Sequence, residues 1–291
     1  MRDILNGILD IHVHAGPSVA SRELDAAEML REAQVAGYRG FLVKDHYFPT
    51  MMGAQMVEKH VDNTKDVKVY GAICLNNSVG LFNLNAVDIA VSMGAKIVYF
   101  PTVSSKNHIE HHKGHFVGSG KSSVPETPVV YVDESGKMDP DAVKVLQYLA
   151  EKDVVLGTGH GSAWEIDHLV EKAVELGVKR ILVNHPQYHI GASYEQMSKW
   201  ASMGAYIEMN SCVFAASGSK FGTLDDQVIA DMLKAVPLKQ MILDSDLGQR
   251  GNGSPVENLY GFILVLMNKF GLTREEIDLI AKENPAKLLG V

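Results

Sequence analysis

The sequence predicts a (β/α)8 barrel, and three observations carry that expectation. Short β-branched and apolar runs alternate with amphipathic stretches along the chain, the pattern of a parallel sheet wrapped by helices. Eight such runs occur: Ile8–His14, Gly40–His46, Val67–Leu75, Lys96–Thr102, Val154–His160, Arg180–His185, Ala205–Cys212 and Met241–Asp246. The length of 291 residues suits one barrel, a fold that typically takes about 250. An open dinucleotide-binding sheet is disfavoured, because no GxGxxG follows the first run.

The helical patterns follow the strands in order, among them Leu24–Ala36, Asn83–Met93, Trp164–Leu176, Tyr194–Met203, Asp225–Ala235 and Val256–Phe270. Gly37, Gly94, Gly177 and Gly204 stand where a helix should stop and the next strand begin, the C′ position that favours glycine. One segment breaks the rhythm. Between the fourth strand and its helix, residues 104–139 form a long insertion within a single barrel domain spanning 1–291. It carries His108, His111, His112 and His115, a glycine–serine stretch, and a run around Asp133-Glu134-Ser135-Gly136 that reads as a small hairpin. A loop this long in a compact domain usually serves a function.

Composition narrows the function classes. Apolar residues make up 46% and charged residues 21%, an ordinary globular balance. A formal charge of −8 disfavours nucleic acid and anionic membrane surfaces as partners. No stretch approaches the roughly 18 uncharged apolar residues of a membrane span. Even the apolar pattern Val256–Phe270 carries Glu257 and Lys269, and it suits packing on the barrel or in a homo-oligomer equally well. The N-terminus places acids among its apolar residues and does not read as a signal peptide. Cys74 and Cys212 form no CxxC pair and read as buried, inert thiols in strands. Together these features point to a cytoplasmic protein acting on a small molecule.

The chemistry collects at the strand ends. The first run ends Asp10-Ile-His12-Val-His14, and strand alternation puts Asp10, His12 and His14 on one face. Two imidazoles spaced two apart can grip one cation from one side. The second run ends Lys44-Asp45-His46, the fifth at His160, the sixth at His185, and the eighth at Asp244-Ser-Asp246. In a barrel, all strand C-termini open on one rim. Four histidines and an aspartate at that rim predict a metal site. His108, His111 and His112 have spacings that share a helical face, and with His46 and His189 they are candidates for substrate contact. Lys106, Lys113 and Lys121 make the insertion locally basic, which favours an anionic substrate.

This constellation resembles the amidohydrolase superfamily. That group shows HxH on the first strand, histidine at the ends of the fifth and sixth, and aspartate at the end of the eighth. Here these are His12, His14, His160, His185 and Asp246, and Glu283–Gly290 is similar to the group's closing helix. The resemblance implies those five residues as metal ligands, with one or two ions. Zinc is the default, and manganese, iron and nickel are alternatives. It implies that metal-activated water attacks a carbonyl carbon of a lactone, cyclic amide or ester, with Asp246 managing the proton. The alternatives are a non-hydrolytic lyase on the same metal set, a phosphoesterase, and a barrel that binds without turnover. One departure stands out. The fourth strand ends Tyr99-Phe-Pro-Thr-Val103, without the bridging lysine or glutamate of binuclear members. Lys44 is the candidate substitute as a carbamylated ligand, with Glu110 a weaker one. Lys44-Asp45-His46 also resembles the second motif of PHP phosphoesterases, but the glycine–x–glutamate motif of that group is missing at Gly71-Ala-Ile73.

Overall fold

The computed structural model describes residues 2–113, 120 and 122–291. His115 and Lys121 of the insertion lie outside the described residues. The elements run β1 (Leu9–Val13), α1 (Ala26–Ala36), β2 (Gly40–Val43), α2 (Met51–His60), β3 (Lys68–Cys74), α3 (Leu84–Ser92) and β4 (Ala95–Tyr99). Then follow α4 (Lys106–His112), α5 (Pro140–Lys152), β5 (Val155–Gly157), α6 (Ala163–Glu175), β6 (Ile181–Val183), α7 (Tyr194–Ser202) and β7 (Tyr206–Asn210). The chain ends with α8 (Asp226–Ala235), β8 (Met241–Asp244), α9 (Pro255–Phe270), α10 (Arg274–Asp278) and α11 (Asn284–Leu289).

The eight strands form one parallel sheet in sequence order. The barrel closes just beyond the last paired strands. There Asp246 N donates to His12 O at 2.8 Å, and His14 N to Leu247 O at 2.7 Å. The core has two apolar layers. Leu9, Ile11, Leu42, Ile97, Tyr99, Leu182 and Ile242 fill the interior. The alternate strand residues, such as Val43, Val98, Val183 and Leu243, pack outward against the helices. The glycines expected to stop helices do so, with Gly37 at φ 80° and Gly204 at φ 98°. Capping boxes open α1, α6 and α7 at Asp25, Ser162 and Ser193. The closing helix α11 plugs the bottom of the barrel. Ala286, Leu288 and Leu289 join the interior layer, and Asn284 Nδ2 donates to Met241 O at 2.7 Å.

Three sequence expectations change. The strands are shorter than their apolar runs, because β1, β2, β5 and β6 stop before the histidines that follow them. Apart from His12, which lies within β1, the strand-end histidines and Asp246 therefore sit on the turns above the sheet. Helix α9 buries Val256, Leu259, Phe262, Ile263 and Leu266 within its own barrel, so that apolar face is covered by the fold. The hairpin of the insertion is reduced to one antiparallel bridge, Val132 to Met138, around the Asp133–Gly136 turn.

Candidate metal centre

The site begins with a bulge in β1. Asp10 pairs with Phe41 and Val13 with Val43, so three steps along β1 match two along β2. Leu9 and Ile11 face the interior while Val13 packs outward. The extra residue therefore turns His12 inward and leaves Asp10 on the other side. This corrects the expectation that Asp10, His12 and His14 share a face. Asp10 instead holds the bulge: its Oδ1 accepts from the backbone N of His12 and of Ser245, both at 3.2 Å. Burial pushes the Asp10 carboxyl up to about 6.

His12, His14 and Asp246 converge. His12 Nε2 and His14 Nε2 lie 3.1 and 3.0 Å from Asp246 Oδ1, and His185 Nε2 lies 4.0 Å from Asp246 Oδ2. Two of these residues sit in left-handed backbone, His185 at φ 23° and Asp246 at φ 51°. Non-glycine residues adopt that region at a cost, and its use concentrates at functional sites. The tight fit of the β8 turn also shows at Gly248, φ 123°, where a Cβ would stand 2.1 Å from His14 O.

A second group lies beside the first. The insertion helix α4 brings His108 to the rim, where its Nδ1 is 2.9 Å from His160 Nδ1. His189, on the turn after β6, completes a set of three buried histidines whose nitrogens lie within 4.8 Å of one another. His185 and His46 join the two groups, with ring centroids 4.9 and 5.6 Å from that of His160.

Electrostatics suits metal binding, which needs neutral imidazole with a free lone pair. Burial holds His14 down to about 3, His185 to about 4 and His108 to about 2. Burial, reinforced by neighbouring imidazoles, keeps His46, His160 and His189 far below the usual histidine range. His14 Nδ1, His160 Nε2, His185 Nδ1 and both nitrogens of His189 are buried with no hydrogen-bond partner among the described residues. Buried polar atoms are rarely left so. His12 differs. Burial lowers it, but Asp246 and Glu208 outweigh that and raise it to about 8. Burial raises Asp246, yet His12 and His14 hold it well below the carboxylate range. These residues fit a divalent ion: its ligand atoms already converge, and its charge would replace the proton on His12.

Glu208, on β7, was missed by sequence reasoning. Its Oε1 is 3.0 Å from His12 Nδ1, and its Oε2 accepts from Asn184 Nδ2 and His185 N, both at 3.1 Å. The available signal was a lone carboxylate inside the apolar run Tyr206–Asn210. Asp244 lies deeper, accepting from Asn210 Nδ2 at 2.5 Å, and burial pushes its carboxyl well up.

The remaining candidates divide. Lys44 is buried with Nζ 2.9 Å from His12 Nε2 and 4.4 Å from the centre of the Tyr99 ring. Among the described residues it forms no ion pair with a carboxylate. His46 Nδ1 meets Thr102 Oγ1 at 2.9 Å. His112 and His189 line the cleft with His14, Lys44 and His46, whereas His111 is exposed at its edge. Glu110 is exposed and pairs with Lys106 at 3.8 Å, away from the ligand set. The cleft encloses ≈ 750 Å³ including its open mouth, a size suited to a small molecule. Cys212 lines it, and Cys74 lies in the barrel interior; both are free thiols.

Comparison with known proteins agrees with this architecture. Residues 7–208 match the model of a family of unknown function, DUF6282. No curated protein sequence matches the chain. Among solved structures, an amidohydrolase from Pseudomonas aeruginosa is 10% identical with a TM-score of 0.67, over 99% of this chain and 97% of that one. The probable dipeptidase PvdM from the same organism is 11% identical with a TM-score of 0.62, over 99% and 96%. An organophosphorus hydrolase from Deinococcus radiodurans is 14% identical with a TM-score of 0.56, over 97% and 92%. These likenesses show a shared fold, the (β/α)8 barrel.

Proposed function

From a chain that belongs to the family of unknown function DUF6282, we propose a metal-dependent hydrolase of a small carbonyl compound: a lactone, cyclic amide or ester carrying an anionic group. One observation carries the reading. His12 Nε2 and His14 Nε2 lie 3.1 and 3.0 Å from Asp246 Oδ1 at the C-terminal rim, beside a cleft open to solvent. His12, His14 and Asp246, with His185 beside them, would hold a divalent ion of the zinc class, which when bound would supply Lewis acidity toward water and toward the substrate's oxygen.

The chain's own residues do the rest. Glu208 fixes the His12 ring by accepting at Nδ1, so that Nε2 faces the site. Asp246 commits Oδ1 to the two histidines and leaves Oδ2 toward the cleft. Oδ2 is therefore the oxygen that takes a proton from the attacking water and returns it to the leaving group. Lys44, at the cleft floor, supplies positive charge toward a substrate anion while it remains an ammonium.

The test is chelation of the purified protein, reconstitution with Zn2+, Mn2+, Fe2+ or Ni2+, and a screen over lactones, cyclic amides, carboxylic esters and phosphoesters. Hydrolysis should vanish with the metal and return with one of these ions. A chain that binds none of them, or a hydrolytic activity indifferent to chelation, would overturn the reading. Release of CO2 without hydrolysis would reassign the site to a lyase.

A further inference from the structure

We infer that His108, His160 and His189 form a second metal site made only of imidazoles, one of whose ligands comes from the inserted helix. The inference goes beyond the hydrolase reading: it needs neither His12, His14 nor Asp246, and of its three ligands only His160 belongs to the set the resemblance implies. The three side chains come from separate places: α4 within the insertion, the turn after β5, and the turn after β6. Their nitrogens nevertheless lie within 4.8 Å of one another, and all three side chains are buried.

Two independent features show that this meeting is built. The first is the backbone. Asn107 Nδ2 donates to His160 O at 3.1 Å and to His189 O at 3.2 Å, and Ser105 Oγ donates to His160 O at 2.9 Å. Residues 105–107, which lead into His108, thus tie down the backbone of both other histidines. The second is the unmet hydrogen bonding. Among the described residues neither ring nitrogen of His189 has a hydrogen-bond partner, nor has His160 Nε2, although these residues are only 6% and 2% exposed. A simple hydrogen bond between His108 and His160 explains their 2.9 Å contact but leaves His189 unexplained. Two imidazoles bound to one tetrahedral ion at about 2.1 Å place their nitrogens roughly 3.4 Å apart, a spacing inside the 4.8 Å within which all three histidines already stand.

The donor set selects the ion. Three neutral imidazoles suit Zn2+, Co2+, Ni2+ or Cu2+, and offer nothing that Mg2+ or Ca2+ prefers. No carboxylate belongs to the triad, so an ion there keeps its full charge. It would also tie the insertion to the barrel rim, coupling metal loading to the position of α4.

The experiment is metal stoichiometry of the full chain equilibrated with Zn2+ or Co2+, with the Co2+ absorption spectrum as a second readout. The wild type should bind two ions per chain. His108→Ala and His189→Ala should each bind one, and His14→Ala should also lose one. The ion retained by His108→Ala and His189→Ala shows that those variants fold. It also separates this inference from the hydrolase reading, whose own failure in this experiment would be absence from every form of the ion lost in His14→Ala. Retention of two ions by both His108→Ala and His189→Ala would overturn the triad, as would a wild type that binds one ion and loses it only in His14→Ala.

Discussion

The two halves of the rim are made from the same side chain and differ in charge. On the β1, β7 and β8 side, His12 and His14 stand with Asp246, and Glu208 is behind them. On the β5, β6 and insertion side, His108, His160 and His189 stand without a carboxylate. Against the lowering effect of burial, the carboxylates raise His12 to about 8, while burial and neighbouring imidazoles hold His160 and His189 well below the usual histidine range. The difference teaches that one half is suited to handle protons as well as an ion. The other can only donate lone pairs. In the proposed hydrolase, proton transfer would therefore fall to the Asp246 half.

The sharpest way to break that division is Asp246→Asn. The amide keeps an oxygen near His12 and His14 but cannot accept a proton as a carboxylate does. Turnover should fall by at least three orders of magnitude, about 4 kcal/mol of barrier, while metal analysis shows most of the ion retained. An active Asp246→Asn enzyme would move the proton-transfer role elsewhere and dissolve the contrast.

Much of the carboxylate half was legible in the sequence, because it rests on residues two apart in one strand and on strand ends that a barrel must bring together. The rim positions of His12, His14, His160, His185 and Asp246 needed only the strand count and their order. What was hidden depends on backbone detail. The bulge that reverses Asp10 leaves no mark in an alternating pattern. Glu208 is separated from His12 by 196 residues, and only the closed barrel makes them neighbours. The imidazole half was harder still. His108 and His189 sit on connections whose path no periodicity encodes, and the role of Asn107 as a clamp depends on carbonyls contributed by other turns. The fourth strand shows why a missing ligand could be noticed but not interpreted. Tyr99 fills that position, and its ring fits because Gly157 faces it; a Cβ there would meet Tyr99 Cδ1 at 2.4 Å.

A milder perturbation sharpens the comparison from behind the ligands. Glu208→Gln keeps the shape but removes the charge that fixes the His12 ring. Losses of this kind typically cost about 10- to 100-fold in metal affinity. The expected pattern in a Zn2+ titration is a weakened ion at His12 and His14, with the His108, His160 and His189 ion unchanged. Equal weakening of both ions would show that the two halves act as one electrostatic unit.

The smallest expected effect concerns Lys44, which sits between the halves. Its ammonium, 2.9 Å from His12 Nε2, occupies space that an ion bound to that nitrogen would need, and repels it. Carbamylation would invert the sign by replacing a cation with an anionic ligand, supplying the bridge that Tyr99 does not. Protein stripped of CO2 should then bind Zn2+ several-fold more weakly than protein given bicarbonate, and Lys44→Met should lose that dependence. If bicarbonate has no effect and the intact mass shows an unmodified lysine, Lys44 remains a cation. In that case Lys44→Met should bind Zn2+ more tightly than the wild type, because the variant removes a charge that opposes the ion at its own ligand.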